Sequence, residues 1–240
     1  TYESLGATDE LVVATKDDEG EGNIGASLDR LIPEQVATQI RNGFADTDLI
    51  DGVLPVLIQR VPAIKLVAGE PGLSEPSTFL IGIDPQGATE FGGLRDVGGD
   101  VVDVGSIGVD EIVLSEDLAG SIEARTGDTV AFYYNNQLYQ MTVKAIAQDS
   151  PLSGKFDPTT PGMAVSLDRL QEITGLDGQI TAVGVSNRGG IENGMTLPDE
   201  VSDRLIQLFA SEQYGVDKIK QDNIEFAEIF ATIFTTFFLV

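Results

Sequence analysis

The sequence predicts an α+β protein. An α/β subdomain is assembled from the two ends of the chain, 1–77 and 162–223, and a small β-rich subdomain, 78–161, is inserted between them. Residues 224–240 are predicted to begin a transmembrane helix. Three observations carry this reading. Strand-like and helix-like apolar spacings alternate at both ends of the chain, while the middle is dominated by short β-branched and aromatic runs. Two stretches rich in Pro, Gly and Ser, 69–77 (GEPGLSEPS) and 149–161 (DSPLSGKFDPTTP), separate the regions. Finally, 229–240 reads IFATIFTTFFLV, with no charge, Gly or Pro.

Taken in order, Leu11, Val12, Val13 and Ala14 form an apolar run that ends in a charged, Gly-rich loop, which predicts a strand. Asp17, Asp18, Glu19 and Glu21 in that loop could hold a hard cation, but their spacing is not that of an EF-hand, and a solvated loop is expected. Residues 32–36 (IPEQV) open a helix with Pro33 in its first turn. Val36, Ala37, Ile40 and Phe44 continue it at helical spacing, and Asn42-Gly43 ends it. Residues 53–68 are rich in β-branched residues and Leu. Pro55 and Pro62 there argue against a helix, leaving a strand-loop-strand or one bent strand.

After the first junction, 78–83 is a strand, Asp84-Pro85-Gln86-Gly87 a turn, and 90–95 a short helix or turn ending near Gly98-Gly99. A buried strand at 112–114 precedes a helix at 116–124 capped by Ser115. Gly127-Asp128 turns into a hairpin, 129–134 and 137–147, joined by Asn135-Asn136. Beyond the second junction come a strand at 163–165, a helix at 167–173 with Ser166 as its cap and Gly175 as its end, and a strand at 180–186. An amphipathic helix at 197–209, with Val201, Leu205 and Leu208 on one face, a short strand at 214–218 and a helix from Gln221 complete the order.

Charge is the second strong signal. The chain has 39 acidic and 14 basic residues, a net charge of −25 and a pI near 4.1, with 42% hydrophobic residues. This is the composition of a folded chain with an acidic skin. Such a skin repels itself in dilute buffer, and at about 1 M salt, where the Debye length is about 3 Å, the repulsion is screened. A halophilic archaeon or a similar source is expected. Nucleic acid is not an expected partner, because no basic stripe could meet its phosphates.

The chain has no Cys, His or Trp. That excludes a Ser-His-Asp triad, a His base, a thiol nucleophile, a disulfide and any Cys- or His-ligated metal. No phosphate-binding Gly-Lys-Ser/Thr loop and no N-glycosylation sequon occurs. No signal peptide is visible at Thr1. As a helix, 229–240 reaches roughly 18 Å, short of the ~30 Å of a bilayer core. It is expected to be the first part of a span, the alternative being a buried C-terminal helix.

The order of elements resembles a known family. The stretch VDEIVLSEDLAGSIEARTGDTVAFYYNNQLYQMTVKAIAQD (109–149) and the stretch GMAVSLDRLQEITGLDGQITAVGVSNRGG (162–190) are similar to the extracytoplasmic domain of FtsX-like, MacB-type ABC transporter permeases. The resemblance covers nearly the whole chain, through architecture more than through motifs. It implies a porter-like α/β subdomain with a β-rich insertion, placed outside the cell membrane between the first two transmembrane helices. It also implies a separate cytoplasmic ABC ATPase as partner, a homodimer in the membrane, and lipid against the C-terminal helix. No lipoprotein-hook motif is recognisable.

The function expected is therefore non-catalytic: coupling of ATP-driven helix movement to export, release or a partner protein, with 69–77 and 149–161 as hinges. The alternative is an extracellular structural or self-assembling surface protein of a halophile. No catalytic, cofactor-binding or metal site is expected. An enzyme would have to draw on carboxylates such as Asp84, Asp100 and Asp103, picked from 39. Asn187-Arg188-Gly189-Gly190 could bind an anion, although a tight surface turn explains it as well.

Overall fold

The structure is a computed structural model and describes residues 8–14, 30–156, 159–189, 198–210 and 214–217. The chain enters through strand β1 (Glu10–Ala14), the two-residue β2 (Ile32–Pro33) and helix α1 (Gln35–Gly43). Two long strands follow, β3 (Ile50–Val67) and β4 (Glu70–Ile83). Helix α2 (Pro85–Glu90), the short strands β5 (Leu94–Arg95) and β6 (Val101–Val102) and a 3-10 turn, Val104–Ser106, come next. Strand β7 (Glu111–Ser115) runs into α3 (Glu116–Ser121), and β8 (Thr129–Tyr134) and β9 (Gln137–Ala147) form a hairpin. A second 3-10 turn, Pro151–Ser153, precedes β10 (Gly162–Ser166) and α4 (Leu167–Thr174). Then come β11 (Gln179–Ile180), β12 (Ala182–Asn187), α5 (Pro198–Leu208) and β13 (Tyr214–Asp217).

Among the described residues a nine-stranded mixed sheet has the order β13-β1-β12-β3-β4-β10-β7-β9-β8. Its residues alternate between two cores because strand side chains alternate between faces. On β4, Phe79, Ile81 and Ile83 enter one core and Leu80 the other; on β10, Ala164 joins Ile81 while Met163 and Val165 join Leu80. Helices α1, α4 and α5 cover the Leu80 face with Val36, Ile40, Leu167, Leu170, Val201 and Leu205. On the Ile81 face, Ala88, Phe91, Leu94 and Val104 do the same. Gly82 lets α4 lie directly on β4: a Cβ there would sit 2.8 Å from the Cβ of Leu170 and 3.2 Å from the Cα of Leu167.

The far end of the sheet closes on itself. Besides pairing with β9, β8 pairs with the end of β3, Ile64 opposite Ala131 and Leu66 opposite Thr129. The circuit β3-β4-β10-β7-β9-β8-β3 is a six-stranded barrel, plugged by Leu118, Ala119 and Ile122 of α3 and its continuation.

Several expectations change. Residues 70–77, read as a junction, are the first half of β4 and pair with β3, so the boundary at 77/78 falls inside a strand. Of the two alternatives for 53–68 the single strand holds, over 53–67, and Ala68 opens its turn. Pro33 lies in β2, before α1, whose cap position is Glu34. Asp84-Pro85-Gln86-Gly87 opens a helix instead of a turn: the Asp84 carboxylate accepts the N–H of Gly87 at 2.7 Å, with Pro85 at the first helical position. Residues 94–95 belong to a small hairpin, and α3 stops at Ser121. On α5 the buried stripe is Val201, Ser202, Leu205 and then Phe209 just past its end, while Leu208 is 36% exposed. The cation loop around Asp17 and the apolar segment 224–240 lie outside the described residues. Among the described residues no helix is long and apolar enough to cross a membrane.

Candidate functional site

The feature that joins the two ends of the sheet is the β3–β4 hairpin. The first half of β3 pairs with β12, Val53 opposite Val185 and Val56 opposite Ala182, and its last turn of residues pairs with β8. An 18-residue strand spans about 60 Å at 3.3 Å per residue. The hairpin therefore belongs to both the α/β part and the barrel. Its turn is Ala68-Gly69, with φ of 54° and 85°, both left-handed, as in a type I′ two-residue hairpin.

The base of the hairpin is tied to the helices. A guanidinium N–H of Arg41, on α1, donates to the Val53 carbonyl at 2.8 Å. The same group lies 3.6 Å from Asp84 and 3.9 Å from Glu90. Glu90 accepts the N–H of Val53 at 3.0 Å. One cation thus joins α1, β3 and α2. Towards the tip, the Lys65 ammonium pairs with Asp128 at 2.9 Å and donates to the Glu123 carbonyl at 2.6 Å. The hydrogen bond from Lys65, and then the N–H of Arg125, hold the Asp128 carboxyl below its ordinary range.

Strand β10 forms the seam, parallel to β4 and antiparallel to β7. The Ser115 hydroxyl accepts from Leu118, capping α3, and from the N–H of Gly162, stitching β10 to β7. Gly162 and Gly154 press backbone to backbone: a Cβ on Gly162 would come within 2.2 Å of the Gly154 carbonyl carbon. Lys155 pairs with Asp117. On the barrel wall Lys144 donates to Glu111 at 2.8 Å and to the Ser106 carbonyl at 2.7 Å. The Lys144 hydrogen bond, followed by the N–H of Gly108, lowers the Glu111 carboxyl below its ordinary range.

Two of the three carboxylates named from the sequence, Asp84 and Asp103, do structural work. Asp84 and Asp103 cap α2 and the 3-10 turn after β6, and the N–H of Asp100 donates to Asp96. Among the described residues no group of three Asp or Glu could hold a metal ion. The turn after β12 has its N–H groups committed: Asn187 to Asp9 at 2.7 Å, Arg188 to the Leu49 carbonyl at 2.8 Å, Gly189 to Asp51 at 2.9 Å. Two of the three acceptors are carboxylates, so the turn is not laid out for an anion; Gly190 lies outside the described residues. Sequence reasoning missed the long hairpin. Its signal was the Ala68-Gly69 turn between β-branched residues and a Pro-rich arm.

No family model matches the sequence, and no curated protein matches it. Solved structures do. The periplasmic region of MacB from Actinobacillus actinomycetemcomitans matches with a TM-score of 0.56 at 17% identity, over 92% of this chain and 94% of that chain. The extracellular domain of the noncanonic ABC-type transporter YknZ from Gram-positive bacteria matches with a TM-score of 0.56 at 14% identity, over 88% of this chain and 99% of that chain. This chain shares the fold of those transporter domains.

Proposed function

We propose that this chain is the extracytoplasmic domain of an FtsX-like, MacB-type ABC transporter permease. The observation that supports this most is the extent of the likeness: nearly the whole chain aligns with nearly the whole of two such domains. In this reading the domain is not an enzyme, and a separate cytoplasmic ATPase subunit hydrolyses ATP. Two permease copies form a homodimer in the cell membrane, and this domain lies on its outer side. Residues 224–240 begin a transmembrane helix in contact with lipid. Segments 1–77 and 162–223 correspond to the porter-like subdomain and 78–161 to the insertion, with β4 running across the boundary at 77/78 and β3 and β10 pairing with strands of the insertion. The acidic skin suits a haloarchaeal cell or one like it.

Movement of the transmembrane helices would enter through the C-terminal segment. The β3–β4 hairpin, held at its base by Arg41 and near its tip by Lys65, would carry it to the barrel, and from there to a released substrate or a partner protein. The strand pairing of 70–77 removes the first of the two expected hinges. The surface-protein alternative has no comparable likeness behind it.

The full-length gene product, purified from its membranes, should bring an ATPase subunit with it. In that complex, with any Cys outside these 240 residues replaced, Ile64→Cys with Ala131→Cys should form a cross-link between β3 and β8. Oxidation should lower coupled ATP turnover and reduction should restore it. A full-length product with no hydrophobic span, or one without an ATPase companion, overturns the reading.

A further inference from the structure

The β8–β9 hairpin differs from the rest of the surface in charge. From 129 to 143 the chain reads TVAFYYNNQLYQMTV, without one Asp, Glu, Lys or Arg, in a protein of net charge −25. Burial explains only part of this. Tyr133, Asn135, Asn136, Gln137, Leu138 and Gln140 are exposed, Tyr133 at 50% and Leu138 at 41%. Tyr133 and Leu138 are cross-strand partners and form one apolar step on the outer face of the barrel.

The same hairpin has open edges. Among the described strands, β7 pairs with β9 only from Thr142 onward, which leaves 137–141 of β9 with no neighbour on that side. Natural edge strands are usually blunted by Lys, Pro or a bulge. The segment QLYQM carries none of these. The edge is also held in place: the Tyr139 hydroxyl reaches the Ile173 carbonyl of α4 at 3.4 Å. Asn135 and Asn136 have φ of 47° and 63°, a two-residue turn. In such a turn the flanking pair, here Tyr134 and Gln137, exchanges hydrogen bonds and the next pair does not. Leu138 and Gln140 therefore turn their N–H and C=O groups away from β8, towards the open edge.

We propose that this edge is a self-association surface. Residues 137–141 of two copies pair antiparallel about a two-fold axis at Tyr139, so that Leu138 of each faces Gln140 of the other, with Tyr133 beside the contact. Charge selects the occupant. A cationic partner would find its match on the acidic skin, and the hairpin offers it nothing. An uncharged edge admits a body as acidic as this chain itself, and a second copy presents the same edge by symmetry. Residues in direct contact lie within the ~3 Å screening length even at about 1 M salt, so opposed carboxylates would still repel there. The patch is small, which places it among contacts below about 1,200 Å² that are weak in free solution. Two copies tethered in one membrane would meet at an effective concentration in the ~mM range. The pairing edge and its sedimentation test stand on this surface alone; the tethering argument and the cross-link in native membranes rest on the proposed membrane location.

The test is sedimentation equilibrium of the 240-residue chain in molar KCl, loaded up to millimolar concentration. A reversible monomer–dimer equilibrium is expected. Leu138→Lys and Gln140→Pro should each weaken it at least tenfold. The Pro deletes an N–H that faces the open edge, a place where strands tolerate Pro. Ile206→Lys, at a residue 55% exposed on α5 and away from the hairpin, should leave dimerisation unchanged, and all three variants should keep the parent's far-UV circular dichroism. A chain monomeric at every concentration overturns the proposal, as does a dimer that survives both hairpin variants. A photo-crosslinker at position 138 in native membranes should give a product of twice the chain's mass; a product with another polypeptide alone overturns the choice of occupant.

Discussion

At Gly162 there is no room for even one more carbon. A Cβ would come within 2.2 Å of the Gly154 carbonyl carbon and 2.5 Å of the Ser153 carbonyl oxygen, all of it backbone that cannot swing aside. Gly162→Ala should cost at least about 3 kcal/mol, the upper end of overpacking penalties, read as a lower urea midpoint. Gly120, in α3, has nothing within 4 Å of its ideal Cβ. Gly120→Ala should be neutral or stabilise by up to about 1 kcal/mol through helix propensity, which makes it the control. Two carboxylates contribute to the acid limb. Glu111 and Asp128 are held below their ordinary range in the folded state, so the unfolded chain binds their protons more tightly. The stability they add is complete above the unfolded values, about 4.3 and 3.9, and is lost as pH falls through the lower folded ones. Lys65→Met with Lys144→Met should therefore be less stable at neutral pH and lose less between about pH 5 and pH 3. The measurement belongs in molar salt, because in dilute buffer protonation also relieves the repulsion among 39 acidic residues and works in the opposite direction. None of these contacts was legible beforehand: the Gly162–Gly154 approach sets the start of β10 against the end of a 3-10 turn, and no spacing rule names Lys65 as the partner of Asp128.

Among the elements, those with a single local signature came through. Ser115 before a helix, Asn135-Asn136 between two strands and Gly175 after α4 behave as read. Ambiguous signatures failed. Asp-Pro is both a turn opener and an N-cap followed by Pro, and at Asp84 the helix wins because α2 buries Ala88 and Phe91 against β3 and β4. The stretch 70–77 has the composition of a linker, yet it is a strand. It lies beyond the reach of β10, which pairs with β4 only from Phe79, so Pro71 and Pro76 leave no neighbour unpaired on that side. Edge strands with one free flank read as loops for this reason. The turn they share offers a test. Ala68 sits at φ 54°, a conformation that favours Asn over Ala in a two-residue hairpin. Ala68→Asn should raise stability by about 0.5–1 kcal/mol, measured by chemical denaturation, and a loss would show that the turn is of another type.

The whole molecule is governed by its net charge of −25. Raising salt from about 0.1 M to about 1 M shortens the Debye length from about 10 Å to about 3 Å. The melting midpoint should climb steeply over that range and continue upward in KCl beyond it; a flat profile would sink the reading of salt adaptation. The mixing of strands and helices around a sheet core could be read from periodicity, since strands and helices each bury one face. Barrel closure could not, because the pairing of 64–66 with 129–131 joins residues that no local pattern connects.

Closure of this kind has a kinetic side. Strand β1 takes its place between β12 and β13, and the Asn187 side chain donates to Glu10 across 177 positions of sequence. Contacts this distant must bear the cost of loop closure before they return any stability, which slows folding. In a chain synthesised from its N-terminus, β1 is made before β12 and β13 and waits for both. Until then the flank of β12 stays open, and a chaperone or a neighbouring nascent chain has its longest opportunity there.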